Sequence, residues 1–251
     1  MYNLLNYVSY VIILLIIPQI ILSCDVDHHK LEVCVEESVF IGNPNAIVPA
    51  NDAEMEQHCS MVKGGIKCAG DYADTCLNGL AQSVTRIIVK NFDSHMHKRC
   101  NQPKDRADFI DNVKCFLPKE KMKPLYVCYD KYIKSMDIAV HMPKTDAFMP
   151  LVCCGFHLFK QCVLTETKKI CSDAHAEYWD DVYDEISAEA ITYACNQFET
   201  VDECSKNLDP KYWTQLSTID KATDPAVWDH GRTTFIKYVL DLIQSFHMDS
   251  S

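Results

Sequence analysis

Fourteen cysteines in a chain of 251 residues restrict its fold more than any other feature. An even number of cysteines in an oxidising compartment reads as a set of disulfides. Their intervals carry further information. From Cys34 through Cys59, Cys68, Cys76, Cys100 and Cys115 the intervening lengths are 24, 8, 7, 23 and 14 residues. From Cys128 through Cys153, Cys162, Cys171, Cys195 and Cys204 they are 24, 8, 8, 23 and 8. Four of these five intervals agree within one residue, which marks an internal duplication. Pro49, Asp52, Ala53 and Met55 keep the same register as Pro143, Asp146, Ala147 and Met149. The chain is therefore expected to contain two homologous six-cysteine modules, at roughly residues 30–118 and 124–208.

Cys24 and Cys154 fall outside this frame. The simplest arithmetic places three bridges inside each module and a seventh between Cys24 and Cys154, tying the amino terminus to the second module. In the alternative, the adjacent Cys153 and Cys154 exchange roles and Cys154 stays inside its module. Spacing alone does not select the pairings within a module.

The amino terminus sets the expected compartment. Residues 1–23 carry no charge, and Val11 to Leu22 form an apolar run broken only by Pro18 and Gln19. Such a short stretch reads as a secretory signal peptide rather than a span. No later stretch reads as long enough to cross a bilayer, so no stable membrane insertion is expected after signal cleavage. The domain plan that follows is a signal peptide at 1–23, a first module at 24–118, a second at 119–208 and a carboxy-terminal extension at 209–251.

Each module reads as helical. Asn51 or Asp52, and Thr145 or Asp146, stand where a side-chain oxygen would cap a helix. The long interval between cysteines accommodates a full helix in each copy. Leu77, Leu80, Val84, Ile87 and Asn91 recur at spacings of three and four in the first, and Tyr178, Val182, Ile186, Ala190 and Tyr193 in the second. Strand patterns are short and rare. The expected fold class is all-α, built of disulfide-clamped helical hairpins. In the extension, Asp209-Pro210 and Asp224-Pro225 read as turns around Trp213 and Trp228. Beyond them, Phe235, Val239, Leu242, Ile243 and Phe246 line one face of an amphipathic helix expected between Thr233 and Met248.

Composition excludes several functions. Seven glycines and no glycine-rich phosphate loop argue against dinucleotide and P-loop proteins. A formal net charge of −11 argues against a nucleic-acid partner. That charge is unevenly spread. From Ser172 to Cys204 there are ten acidic residues and no Lys or Arg, whereas Leu77 to Cys115 holds seven basic and four acidic residues. The duplicated helices have become electrostatic opposites, which is read as two solvated faces, as a pair that attract each other between modules, or as an acidic face that meets a cationic partner or weakly binds Ca²⁺.

The cysteine intervals, set in amphipathic helices behind a signal peptide, resemble those of the insect hemolymph glycoprotein group of secreted cysteine-rich helical proteins, with related nematode secreted domains. The resemblance is one of spacing, best from Cys153 to Cys204. It implies an extracellular, non-enzymatic role with no catalytic site or cofactor. One departure is that no N-x-[ST] acceptor with a permitted middle residue is present.

Candidate chemistry is sparse. Cys153-Cys154-Gly155-Phe156-His157 looks like the start of the helix motif of secreted phospholipase A2, but Leu158 stands where that family has a calcium-holding Asp. His95 with His97, and Asp25, Asp27, His28 and His29, are short-range clusters able to hold a transition metal adventitiously; exposed turn or terminal residues explain them more simply. No catalytic, metal or cofactor residue is assigned. With every cysteine paired there is no thiol nucleophile. The expected function is that of a secreted carrier or interaction protein whose partner is a small apolar ligand, held in a groove between helices or modules, or an extracellular protein. The alternatives are a secreted effector or toxin and a degenerate phospholipase A2-like hydrolase.

Overall fold

The computed structural model describes residues 47–142, 147–195 and 197–229, together with Val35. The expected signal peptide, Cys24, Cys34, the Asp25 to His29 cluster, Thr145, Asp146 and the helix expected between Thr233 and Met248 lie outside the described residues. What is described is all-α. Eight α-helices run in order: α1 Asp52–Cys76, α2 Gly79–Asn101, α3 Pro103–Lys114, α4 Lys123–His141, α5 Phe148–Ile170, α6 Asp173–Cys195, α7 Val201–Asn207 and α8 Pro210–Lys221. Two short 3₁₀ turns, Lys119–Met122 and Pro225–Val227, complete the set.

Local chemistry explains where the helices start. Asn51 caps α1 by accepting from the Glu54 N–H at 3.0 Å, while the Glu54 carboxylate accepts from the Ala50 N–H at 2.7 Å. Two free donors of the first turn and its approach are thereby satisfied. Helix α5 begins at Phe148, with Ala147 in the N-cap position. Buried Phe148 and Leu151 anchor this turn, and Pro150 fits there because its missing N–H would have had no helical partner. Gly79, at φ +55°, makes the reversal between α1 and α2.

The interior runs across residue 118. One cluster combines Met55 of α1 with Phe109, Ile110 and Val113 of α3, Leu125 of α4, Val163 of α5, and Trp179 and Val182 of α6. Trp179 lies edge-on to Phe109 at 6.1 Å between centroids, tilted against Phe116 at 6.0 Å and edge-on to Tyr178 at 5.5 Å. A second cluster gathers Ala139, Phe148, Leu151, Cys154, Leu158, Cys204, Leu208 and Leu216, joining α4, α5, α7 and α8. Helix α5 is central to both. Close approach of α4 is allowed by Gly155, since a β-carbon there would lie 3.3 Å from Ser135 Cβ and 3.5 Å from Met136 Cε.

Helix α5 also corrects an expectation. At 23 residues it is long and apolar enough to cross a membrane by length and composition. Leu151, Cys153, Cys154, Gly155, Leu158 and Val163 are buried against the protein, the use that a core helix makes of the same composition.

Five bridges join the described helices: Cys59–Cys100, Cys115–Cys171, Cys128–Cys162, Cys153–Cys195 and Cys154–Cys204. Cys68 and Cys76 are disulfide-bonded too. The expected Cys24–Cys154 tie is therefore incorrect, because Cys154 is bound to Cys204. The reason is geometric: consecutive residues lie about 100° apart around a helix, so Cys153 faces α6 while Cys154 faces α7. The alternative that kept Cys154 inside the second module describes this bond. Three bridges confined to each module is incorrect as well, since Cys115 reaches Cys171 across the expected boundary.

Candidate functional site

The densest arrangement of polar chemistry is the seam where basic α2 meets acidic α6. Helix α6 buries Trp179, Val182 and Ala190, helix α2 buries Met96, and both turn long polar side chains toward each other. Glu185 sits at its centre. Its Oε2 accepts from His95 Nδ1 at 2.7 Å, its Oε1 accepts from Lys98 Nζ at 2.7 Å, and Arg99 Nη1 lies 3.6 Å from Oε2. Arg99 is buried, donates to Tyr178 Oη and the His95 carbonyl at 3.2 Å each, and stands 5.8 Å from the centre of the Tyr178 ring. One turn away, Asn91 Nδ2 donates to Glu189 Oε2 at 3.3 Å. On the other flank of α6, Lys160 of α5 pairs with Asp180 at 2.6 Å and with Asp184. Opposite charges of the duplicated segments thus meet across this seam at Glu185, while Asp173, Glu177, Asp181, Asp184 and Glu189 remain exposed to solvent.

Protonation in this seam follows from burial. His95 is 1% exposed, and burial followed by the Arg99 charge depresses its pKa to about 4, so it is neutral at pH 7 and donates from Nδ1. For Glu185, partial burial acts upward, but hydrogen bonds from Lys98 and His95 prevail and bring it down to about 2. Burial also lowers His58, stacked on Phe109 at 5.8 Å, to about 4. Each shift destabilises the fold on acidification. A histidine depressed from 6.5 to about 4 leaves the native state binding fewer protons than the unfolded chain between those pH values, so stability falls as pH drops through that window. Glu185 adds its own loss below about pH 4.5. Replacing His95 by Asn keeps a donor near the Nδ1 position without the titration. Unfolding free energies of His95→Asn, from urea titrations, are expected to change less between pH 6.5 and 4 than those of the parent, by up to about 3 kcal/mol. An identical pH dependence in both proteins would remove His95 from this account.

The other sequence candidates are dispersed. His95 and His97 lie within α2 rather than in a turn, and two residues turn a helix by about 200°, so one is buried in the seam while the other is exposed. No grouping of three or more His, Cys, Asp or Glu able to hold a metal occurs among the described residues. His157 lies on α5 beside Phe156, with ring centroids 5.7 Å apart. The Phe198 backbone hydrogen-bonds its ring, Nε2 is buried without a partner among the described residues, and burial lowers its pKa. Leu158, which follows it, is buried in the core.

Concavities are equally informative. The half-open space between α4, α5 and α8, lined by Tyr132, Ser135, Leu158, Phe159, Leu216 and Asp220, measures about 10 Å³, room for no more than one water. A shallow open groove of about 610 Å³ lies along α8, between Trp213, Thr214, Thr218, Lys221 and Val227. Sequence reasoning missed α8 itself. Its signal is Asp209-Pro210, which forms a cap and first turn rather than a loop: Asp209 accepts from the Lys211 N–H at 2.8 Å, and Leu216 and Ile219 bury the face that follows.

No family model, curated protein or solved structure matches the chain.

Proposed function

We propose that this protein works in extracellular fluid as a non-enzymatic binding protein that recognises an extracellular protein through its surface. Five interhelical disulfides among the described residues carry this reading. Bonds of this density are typical of proteins that leave the reducing cytosol, and they hold helices α1 to α7 as a rigid scaffold. A rigid scaffold lowers the entropy lost when a surface docks. The uncharged, apolar segment before Cys24 supports export, and the resemblance of the cysteine spacing to that of insect hemolymph glycoproteins supports an extracellular role without catalysis.

Between the two forms of binding, a protein partner is proposed. The space between α4, α5 and α8, about 10 Å³, is too small for a drug-sized ligand, which needs about 300–1,000 Å³. The groove along α8, about 610 Å³, lies open to solvent as a docking surface does. The test is extraction of natively purified protein with organic solvent followed by mass spectrometry. The expected result is no stoichiometric apolar molecule. A lipid or other apolar compound recovered at one per chain would replace this reading with that of a carrier. Calcium-dependent hydrolysis of phospholipid vesicles, abolished in His157→Ala, would replace it with that of an enzyme.

A further inference from the structure

The bridges of the second half of the chain assign partners in the first. Cys68 and Cys76 are disulfide-bonded, and none of the five bridges above contains either. Both lie on α1, eight residues apart, a rise of about 12 Å. Bridged Cα atoms stand within about 7 Å of each other, so these two are not bonded to one another. Of the fourteen cysteines only Cys24 and Cys34 then remain, and within one chain they can be connected in two ways.

The matching helices choose between them. Cys59–Cys100 joins α1 to the end of α2 with a sequence separation of 41, and Cys153–Cys195 joins α5 to the end of α6 with a separation of 42. Helices α1 and α5 therefore correspond, as do Cys68 with Cys162 and Cys76 with Cys171. In each helix the next cysteine follows nine residues on, half a revolution around the axis. Cys162 consequently faces away from α6 and meets Cys128 of α4, 34 residues earlier. Cys34 stands 34 residues before Cys68. Cys171, at the end of α5, takes Cys115, which precedes Cys128 by 12 intervening residues; Cys24 precedes Cys34 by 9.

We propose that Cys34 is bonded to Cys68 and Cys24 to Cys76, so that the repeating covalent unit runs from Cys24 to Cys100 and again from Cys115 to Cys195. In this frame the intervening lengths are 9, 24, 8, 7 and 23 in the first unit, against 12, 24, 8, 8 and 23 in the second. Cys115 opens the second unit instead of closing the first. That removes the one interval, 14 against 8, that fits poorly when counting starts at Cys34. Cys154–Cys204 is an addition unique to the second unit, and Ser60 stands at the position matching Cys154. Each bond forms when two thiols give two electrons and two protons to a disulfide-bearing oxidant, which departs as two thiols. A consequence is that any leader removed on export ends on the amino side of Cys24.

Disulfide mapping of the full chain secreted from a eukaryotic host tests this, independently of what the protein binds. Non-reducing digestion at acidic pH with trypsin, which cuts after Lys30, and a protease that cuts before Asp71 and Asp74 places all four cysteines on separate peptides. The expected linked peptides contain Cys24 with Cys76 and Cys34 with Cys68. Cys24 linked to Cys68, a free thiol at any of the four, a mature chain beginning after Cys24, or a bond to a second chain would overturn the proposal. In Cys24→Ser, alkylation is expected to label one cysteine, Cys76; labelling at Cys68 instead would also overturn it.

Discussion

Trp179→Ala is expected to lower the unfolding free energy by about 4 kcal/mol, the upper range for removal of a buried aromatic. The indole is 4% exposed. It belongs to α6, yet two of the rings it touches, Phe109 and Phe116, belong to the first half of the chain. Truncation therefore leaves a cavity at the junction of the two halves, where bridges on either side limit collapse into the space. A typical domain is stable by about 5–15 kcal/mol, so the loss is a large share of the total. Urea unfolding followed by far-ultraviolet circular dichroism measures it. A loss below about 1 kcal/mol, the typical cost of a point substitution, would mean that this cluster is peripheral.

Breaking the bridge between the halves is expected to cost about 3 kcal/mol. Cys115 and Cys171 are 56 residues apart in sequence. The effective loop is shorter, because Cys128–Cys162 already crosses it. The closed path runs thirteen residues to Cys128 and nine from Cys162, and a loop of that length stabilises by about 3 kcal/mol in the chain-entropy model. For a chain of this size that corresponds to a fall in Tm of roughly 6–12 °C. Calorimetry of Cys115→Ser/Cys171→Ser against the parent checks it. An unchanged Tm would show that the other contacts between the halves already restrict the unfolded chain as much as the bridge does.

The helical class was legible because it depends on local patterns: apolar residues at three and four, and an Asn at the mouth of α1. The charge asymmetry was legible too, and Glu185 with His95, Lys98 and Arg99 shows what that asymmetry builds. Pairings were less accessible, since they depend on which faces of which helices meet. Intervals of nine residues do place Cys153 and Cys162 on opposite sides of α5. Only the packing of α4, α6 and α7 around that helix reveals where Cys153, Cys154 and Cys162 lead. Tyr193 illustrates the same limit: the periodicity puts it on the apolar stripe of α6, yet it is 56% exposed near the end of that helix. His95 was read as a turn residue because its neighbours are polar. Its burial comes from α6, which lies 90 residues away in sequence.

The central claim is that the two halves of the chain form one cooperative unit, through the cluster around Trp179, the seam at Glu185 and the bridge Cys115–Cys171. Differential scanning calorimetry of the fully oxidised protein at neutral pH tests it most directly. The account predicts a single transition whose calorimetric and van't Hoff enthalpies agree. Two resolved transitions, each with the enthalpy of about half the chain, would contradict it.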